Sequence, residues 1–328
     1  MRPNWGLIGH TWAVDMLRRH IAARSVRHAY LFIGPPGVGR RTLALRFVQA
    51  LLCSQPPAAG EFCGDCRNCR SLSTLSHPDL VVVQAEREGG ILKVDQVREV
   101  RRLASLKPYQ TDYRIALFLR FQEANDSAAN ALLKTLEEAP EHLLLLLTAD
   151  AVEALLPTIV SRCEVLRLRP IPYGEIERLL LQGGVEPERA RLIAHLSGGR
   201  PGVASRMADD PSVLEFRRQR LEELQQLLSA SRREKFAYVE TLARERDLMR
   251  QTLLIWLSFW RDVFLQVAGA GTPPENVDRV SEIAALAARL DLATARRRMV
   301  ETEQALQRLN HNVNARLLAE VLLLSWTM

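Results

Sequence analysis

The chain of 328 residues has no apolar run that approaches the roughly 18 residues needed to span a membrane. Its first ten residues, MRPNWGLIGH, also lack the basic-then-apolar order of a secretory signal peptide. Both absences argue against a membrane protein, and the expected location is the cytoplasm. The composition, 47% hydrophobic and 25% charged, is ordinary for a globular protein of two or three domains.

Lysine is almost missing from the sequence. Of 44 basic residues only four are lysines, namely Lys93, Lys107, Lys134 and Lys235. The formal net charge of +6 would suit nucleic acid or another acidic partner. Because a bias toward arginine this strong can reflect genome composition, we give the basic charge little weight as evidence for DNA binding.

Cysteine is scarce, with five residues in all, yet four of them lie close together. Cys53, Cys63, Cys66 and Cys69 form the spacing C-x9-C-x2-C-x2-C, whereas Cys163 is remote. Four thiolates suit a closed tetrahedral zinc site, and close cysteines in a cytosolic chain favour metal over disulfides. The spacing therefore predicts one structural zinc; four free thiols, with a redox pair among them, are the alternative.

The first half of the sequence alternates helical periods with short apolar runs of strand length. This pattern predicts an α/β fold with a parallel sheet covered on both faces. The predicted strands are AYLFIG, DLVVVQA, YRIALFL, HLLLLLTA and EVLRLR. After LRPIPYGE the pattern becomes helical, and from about residue 211 it is helical throughout.

We predict three domains from these changes in character. Residues 1–168 form the α/β domain with a zinc module at about 53–70, and residues 169–208 form a small helical lid domain. Residues 209–328 form an all-α C-terminal domain. The boundaries follow the prolines of LRPIPYGE and the segment SGGRPG at 197–202.

The segment GPPGVGRRT at residues 34–42 resembles a phosphate-binding loop of the form G-x-x-x-x-G-K-[ST]. Gly34, Gly37 and Gly39 follow an apolar strand and precede a helix, as such a loop requires. Its side chains differ from the pattern. Arg40 replaces the lysine, Arg41 replaces the hydroxyl that binds magnesium, and Thr42 comes one residue late.

The second element of an ATP site is also altered. A P-loop NTPase holds magnesium with an aspartate at the end of an apolar strand. The strand in RIALFLRFQEAND ends in Leu119-Arg120, and Glu123 and Asp126 follow only later. Because both magnesium-holding elements are lost, we do not expect ATP hydrolysis.

Several motifs together resemble the clamp-loader AAA+ proteins of bacterial DNA polymerase III. They are HAYLFIGPPGVG, ANALLKTLEEAPEH at residues 129–142, LLLLLTAD and LLPTIVSRC. The resemblance is strong over roughly residues 5–205, and the helical remainder matches in character and in the segment NVNARLLAE. It implies a P-loop-type AAA+ sheet domain with a zinc module, a helical lid and a C-terminal oligomerisation collar.

The resemblance also locates the family's nucleotide-sensing positions. The Asp-Glu pair of the ATPase subunit gamma/tau falls on Leu119 and Arg120, and the second-sensor arginine falls on Pro201, with Arg200 one place early. Thr148 keeps the first sensor position. These departures imply a non-catalytic member that does not bind ATP productively.

Such a member would help load the sliding clamp onto primer-template DNA. Its implied partners are the gamma/tau and delta subunits in a hetero-oligomer, with the clamp and DNA contacted within the assembly. Two alternatives stay open at this point: a gamma/tau-like ATPase with a divergent nucleotide site, and an AAA+ scaffold protein outside replication.

The triplet Ser161-Arg162-Cys163 is open to two interpretations. The residues alone favour a solvated or salt-bridged surface arginine, and no histidine supports Cys163 as a nucleophile. The resemblance implies that Arg162 reaches the ATP bound by the adjacent subunit as an arginine finger supplied in trans. Such a finger places a fixed cation at the charge that develops on the γ-phosphate.

An aromatic stripe marks the C-terminal helical region. Trp256, Phe259, Trp260 and Phe264 follow helical spacing and predict one apolar face. That face is either an ordinary core face or part of a subunit interface.

Overall fold

A computed structural model describes residues 3–309 and 313–326, and the contacts within it divide the chain into two compact units. The first unit comprises the chain up to Ile176 together with Gly199–Val203. The second comprises Glu177–Gly198 and the chain from Ala204 onward. The three domain boundaries inferred from the sequence stay a prediction.

The first unit contains a five-stranded parallel sheet in the order β2-β3-β4-β1-β5. Every predicted apolar run forms a strand, so the prediction of an α/β fold with a parallel sheet is confirmed. The strands are β1 (Ala29–Ile33), β2 (Leu80–Val83), β3 (Arg114–Phe118), β4 (Leu143–Ala149) and β5 (Glu164–Arg167).

The central strand β4 shows how an all-apolar sequence suits this sheet. Leu144 and Leu146 pack into the hydrophobic core on one face, whereas Leu143, Leu145 and Leu147 pack into the core on the other. Successive side chains of a strand point to opposite faces, so both faces are apolar only when helices cover both.

Helices cover the two faces of this sheet. The helix Asp126–Glu137 begins after Asn125, whose side chain accepts a hydrogen bond from the N–H of Ala128, as a helix N-cap does. The helices are α1 (Thr11–Ala22), α2 (Arg40–Leu52), α3 (Arg67–Ser73), α4 (Val94–Ala104), α5 (Asp126–Glu137) and α6 (Pro157–Val160), and α7 (Tyr173–Gln182) comes after β5.

Among its described residues, the second unit contains helices joined by loops and no strand. The helices that follow are α8 (Pro187–Leu196), α9 (Pro201–Asp209), α10 (Pro211–Ser229), α11 (Arg232–Leu242), α12 (Arg246–Val267), α13 (Val280–Ala287), α14 (Leu292–Leu309) and α15 (Ala315–Ser325). Helices α7 and α9 each contribute residues to both units. Within 3–309 and 313–326, no helix is both long and apolar enough to cross a bilayer.

The aromatic stripe lies on α12 and contributes to the core of the second unit. Trp256, Phe259 and Trp260 are fully buried, and Phe264 is half-buried. The rings of Trp260 and Trp326 lie 5.7 Å apart in an edge-to-face arrangement. The core-face interpretation therefore holds for three of the four residues.

The late segment NVNARLLAE is described from its second residue onward, because Asn312 lies outside the described residues. Asn314 caps α15 by accepting a hydrogen bond from the N–H of Leu317 at 3.2 Å. This part of the motif starts a helix whose inward side chains, including Leu322 and Leu323, are buried.

Candidate functional site

The glycine loop connects β1 to α2, as the sequence predicts for a phosphate-binding loop. Gly39 immediately precedes α2 in a left-handed conformation, with φ of 112°. A Cβ atom on Gly34 would collide with the carbonyl oxygen of Leu168. The glycines are therefore required by the backbone path itself, which brings the N-terminus of a helix to the end of the strand.

The segment that contains the second-sensor position packs directly on this loop. The N–H of Gly202 donates to the carbonyl oxygen of Gly37 at 2.8 Å. A Cβ atom on Gly37 would lie 2.6 Å from Cγ2 of Val203. Pro201, on which the resemblance predicts the second-sensor arginine, begins α9 here and has neither a cation nor an N–H.

Arg40, which replaces the phosphate-binding lysine, is paired with a carboxylate of the same unit. Its Nη1 lies 2.6 Å from Oδ1 of Asp150, and its side chain is buried. The neighbouring Arg41 and Thr42 are exposed. Because the Arg40 side chain is buried against its carboxylate partner, a phosphate would have to displace Asp150 to bind this guanidinium.

Sequence reasoning missed Asp150 as a member of this site. A signal was available, because Asp150 directly follows β4 and the glycine loop directly follows β1. These two strands are parallel neighbours, so their carboxyl ends meet at the same edge of the sheet.

The positions that would hold magnesium are engaged in structural contacts. Leu119 is buried, and the N–H of Arg120 donates to Oγ1 of Thr148 at 2.9 Å. Thr148, the predicted first-sensor residue, donates in turn to the carbonyl of Phe118 at 3.4 Å. The side chain of Arg120 pairs with Glu123 at 2.8 Å. The strand end thus presents a leucine and a paired arginine where magnesium needs carboxylates.

The four clustered cysteines come together between the end of α2 and the start of α3. Their Sγ atoms all lie within 4.8 Å of one another. The Sγ of Cys53 lies 3.6 Å from that of Cys63 and 3.9 Å from that of Cys66, and the Sγ atoms of Cys63 and Cys69 lie 3.9 Å apart. Tetrahedral ligation with Zn–S bonds of about 2.3 Å requires sulfur separations of about 3.8 Å. The cluster therefore fits a four-coordinate metal ion.

Backbone geometry arranges the thiols of this cluster for ligation. Gly64 adopts a positive φ of 88° in the turn between the second and third cysteines. The N–H groups of Cys66 and Cys69 point at the sulfurs of Cys63 and Cys66, at 3.3 and 3.4 Å. Burial raises the pKa of Cys66, but hydrogen bonds from Ser54 and the N–H of Cys69 outweigh it and bring this pKa to about 6. A lowered pKa favours the thiolate that a metal binds.

A buried carboxylate lies close to the cysteine module in sequence. Asp79 is fully buried and accepts hydrogen bonds from the N–H groups of Tyr109, Gln110 and Thr111, at 2.6, 2.8 and 3.1 Å. His77 accepts from the N–H of Asp79 at 3.1 Å and so acts as a turn residue. Asp79 holds the loop between α4 and β3, a long-range role that its sequence position alone does not indicate.

The triplet Ser161-Arg162-Cys163 follows the short helix α6. Arg162 is partly exposed; its Nη2 lies 2.6 Å from Oε1 of Glu137, and its Nη1 donates to the carbonyl of Thr158 at 2.9 Å. Ser161 donates to that same carbonyl at 3.1 Å. Burial raises the pKa of Cys163 to about 12, so its thiol is unsuited to nucleophilic chemistry.

A parallel sheet with a glycine loop between its first strand and the next helix defines an α/β protein of the P-loop type. The family model described as "DNA polymerase III, delta subunit" matches residues 9–172, and the model "DNA polymerase III, delta subunit, C terminal" matches residues 213–328. The chain belongs to the DNA polymerase III delta subunit family.

Curated relatives agree with this membership. The chain is 37% identical over 204 residues to DNA polymerase III subunit delta' of Pseudomonas aeruginosa, covering 61% of each chain. It is 32% identical over 184 residues to the delta' subunit of Bacillus subtilis, covering 56% of this chain and 55% of the relative. It is 34% identical over 203 residues to DNA polymerase III subunit gamma/tau of Mycobacterium tuberculosis, covering 60% of this chain and 34% of the relative. The matches span 61% and 55% of the two delta' relatives.

Proposed function

We propose that this protein is a non-catalytic clamp-loader subunit of the delta' type, acting in the cytoplasm with the gamma/tau and delta subunits. It helps to load the sliding clamp onto primer-template DNA. The observation that carries the proposal is the ion pair between Arg40, which stands at the lysine position of the glycine loop, and Asp150, which follows β4. That pair occurs in a member of the DNA polymerase III delta subunit family.

The absence of productive ATP binding follows from three local substitutions. Phosphate binding would require Arg40 to leave Asp150, and magnesium would require acids where Leu119 and Arg120 stand. The cation of the second sensor is missing as well, because Pro201 occupies the position that the resemblance assigns to that arginine. Each change removes a different contact to Mg·ATP, so restoring one of them would not restore a site.

The cysteine cluster holds a structural zinc in this proposal. Cys53, Cys63, Cys66 and Cys69 supply four sulfurs and leave no coordination position for a substrate. Zinc would tie the proline-rich segment between Cys53 and Cys63 to the end of α2. Its contribution is stability of the module, since this segment is too polar to form a core of its own.

Arg162 supplies an arginine finger to the adjacent ATPase subunit, and residues 209–328 form the collar that joins the subunits. The support for the finger is its place after α6 in the SRC triplet, its partial exposure, and the guanidinium held by two hydrogen bonds. The lid and sheet domains occupy 169–208 and 1–168. The finger would act on ATP held by a neighbour and not on any nucleotide of this chain.

The similarity to gamma/tau subunits makes a divergent ATPase the second candidate. Co-purification separates the candidates when the full chain is expressed with tagged gamma/tau and with delta. We expect one stable complex on gel filtration that contains all three proteins. Failure to join them would contradict the clamp-loader proposal, and an incorporated subunit that hydrolyses ATP by itself would favour the divergent ATPase.

A further inference from the structure

Glu137 and Arg162 are brought together by the fold from positions 25 residues apart. Glu137 is the last residue of α5, and Arg162 lies just beyond α6. Oε1 of Glu137 lies 2.6 Å from Nη2 of Arg162, while Nη1 of Arg162 donates to the carbonyl of Thr158 at 2.9 Å. Two different nitrogens of one guanidinium are therefore held by two different elements.

We propose that Glu137 is a positioning residue for the Arg162 finger, an inference that rests on the proposed function. Arginine carries five N–H donors, and the two contacts with Glu137 and Thr158 use two of them. Three donors remain for the γ-phosphate of a neighbouring ATP. Because the planar guanidinium is anchored at both terminal nitrogens, its place and its plane are set before that phosphate arrives.

The two helices that carry this pair are packed into the core of the sheet unit. Leu132 and Leu136 of α5 are buried in the core under the sheet, and Ile159 of α6 is buried in the same core. The two groups that hold the guanidinium, Glu137 and the carbonyl of Thr158, therefore lie on helices that pack into this core. A reacting group displaced by about 1 Å can lose on the order of 100-fold in rate, so a defined position matters for a finger.

A surface ion pair of purely structural value is the competing explanation. Glu137 and Arg162 are partly exposed, with side-chain exposures of 50% and 35%, so their attraction is screened by solvent. Such a pair would influence stability slightly and would not influence catalysis by another subunit. The two explanations differ in whether the effect of Glu137 requires Arg162.

The experiment uses the reconstituted clamp-loader complex with Glu137→Ala, Glu137→Gln and Arg162→Ala. Glu138→Ala is the matched control, because Glu138 is the next residue, is exposed, and has no ion pair among residues 3–309 and 313–326. We expect Glu137→Ala to slow clamp loading about tenfold at saturating ATP with little change in the KM for ATP. The reason is that the position of the arginine affects the transition state more than it affects ATP binding. Glu137→Gln keeps an acceptor oxygen and should recover part of the rate, whereas Glu138→Ala should load at the wild-type rate.

A double-mutant cycle identifies the route of the effect. If Glu137 acts through Arg162, Glu137→Ala should slow loading no further in the Arg162→Ala background. A further tenfold loss there, or a wild-type or higher rate for Glu137→Ala alone, would overturn the inference while leaving the finger intact. Wild-type loading by Arg162→Ala would overturn both the finger and the role of Glu137. Gel filtration and thermal melting of each complex confirm that assembly is unchanged.

Discussion

Nη1 of Arg40 lies 2.6 Å from Oδ1 of Asp150, in a contact between residues separated by 110 positions. Arg40 opens α2 directly after the glycine loop, and Asp150 follows the neighbouring strand β4. The carboxylate satisfies the cation that would otherwise be directed at phosphate. The glycine loop thus keeps its backbone form while its principal charge serves the stability of the sheet domain.

The isolated protein should bind no Mg·ATP at micromolar concentrations. Binding would have to break the pair between Arg40 and Asp150, and it would gain no magnesium ligand from Leu119 or Arg120. Calorimetric titration of the full chain with Mg·ATP tests this expectation. A micromolar isotherm would favour the gamma/tau-like ATPase instead.

Asp150→Asn should destabilise the protein by about 1–2 kcal/mol, because it leaves the buried Arg40 without its charged partner. We place the effect at the lower end of the range for charged pairs because the side chain of Asp150 is 41% exposed and screened by solvent. Urea unfolding measures the change. Glu86→Gln is the control, since its pair with Lys93 is exposed and the substitution should cost no more than about 0.5 kcal/mol. Equal effects of the two substitutions would show that the Arg40 pair has no special role.

Elemental analysis of the purified protein should find about one zinc per chain. Cys66→Ser should lose the metal, because the sulfur of Cys66 belongs to the four-sulfur cluster. Cys163→Ser is the matched control and should keep the zinc, since Cys163 lies outside that cluster. The assignment fails if Cys66→Ser retains zinc or if only Cys163→Ser loses it.

Asp79→Asn should reduce the free energy of unfolding near neutral pH by about 2–4 kcal/mol, because an amide replaces a carboxylate that accepts several backbone N–H bonds. Burial raises the pKa of Asp79, but the hydrogen bonds from Tyr109, Gln110 and Thr111 outweigh it and leave this pKa below its ordinary value of 3.8. The stabilisation is therefore fully present above that ordinary value and is lost as pH falls through the lower, folded-state value.

The difference in the free energy of unfolding between wild type and Asp79→Asn should accordingly be constant from pH 7 to pH 5 and should become smaller below about pH 4. Urea unfolding of both proteins across this range measures it, and comparison at each pH cancels the acid sensitivity that they share. A difference that persists unchanged to pH 3 would contradict the role of the ionised carboxylate.

Arg162→Ala should leave the subunit folded and able to assemble, because the side chain is partly exposed and its ion pair is worth only about 0–1 kcal/mol. The assembled complex should load clamps poorly, with a smaller fall in total ATPase because the other sites continue. A comparable arginine in GTPases is worth on the order of 10³–10⁵ in rate at its own site. Clamp-loading assays on complexes checked by gel filtration decide the matter, and wild-type loading rates would refute the finger.

The sequence by itself determined the local features of this protein. The continuous apolar run of HLLLLLTA predicted β4, and the spacing of Cys53, Cys63, Cys66 and Cys69 predicted a cluster of four sulfurs that could hold a metal ion. The replacement of a lysine by Arg40 already indicated an altered phosphate loop. These features are readable because strand periodicity, turn geometry and ligand spacing act over a few residues.

Only the tertiary structure decided which distant groups meet. Asp150 reaches Arg40, Thr148 reaches the backbone of Arg120, and Glu137 reaches Arg162 because parallel strands and packed helices bring their ends together. Arg162, the candidate finger in the sequence, is thus paired with Glu137 of a different helix, α5. Contacts of this kind depend on strand order and helix packing, and the order β2-β3-β4-β1-β5 is not encoded in any one segment of the chain.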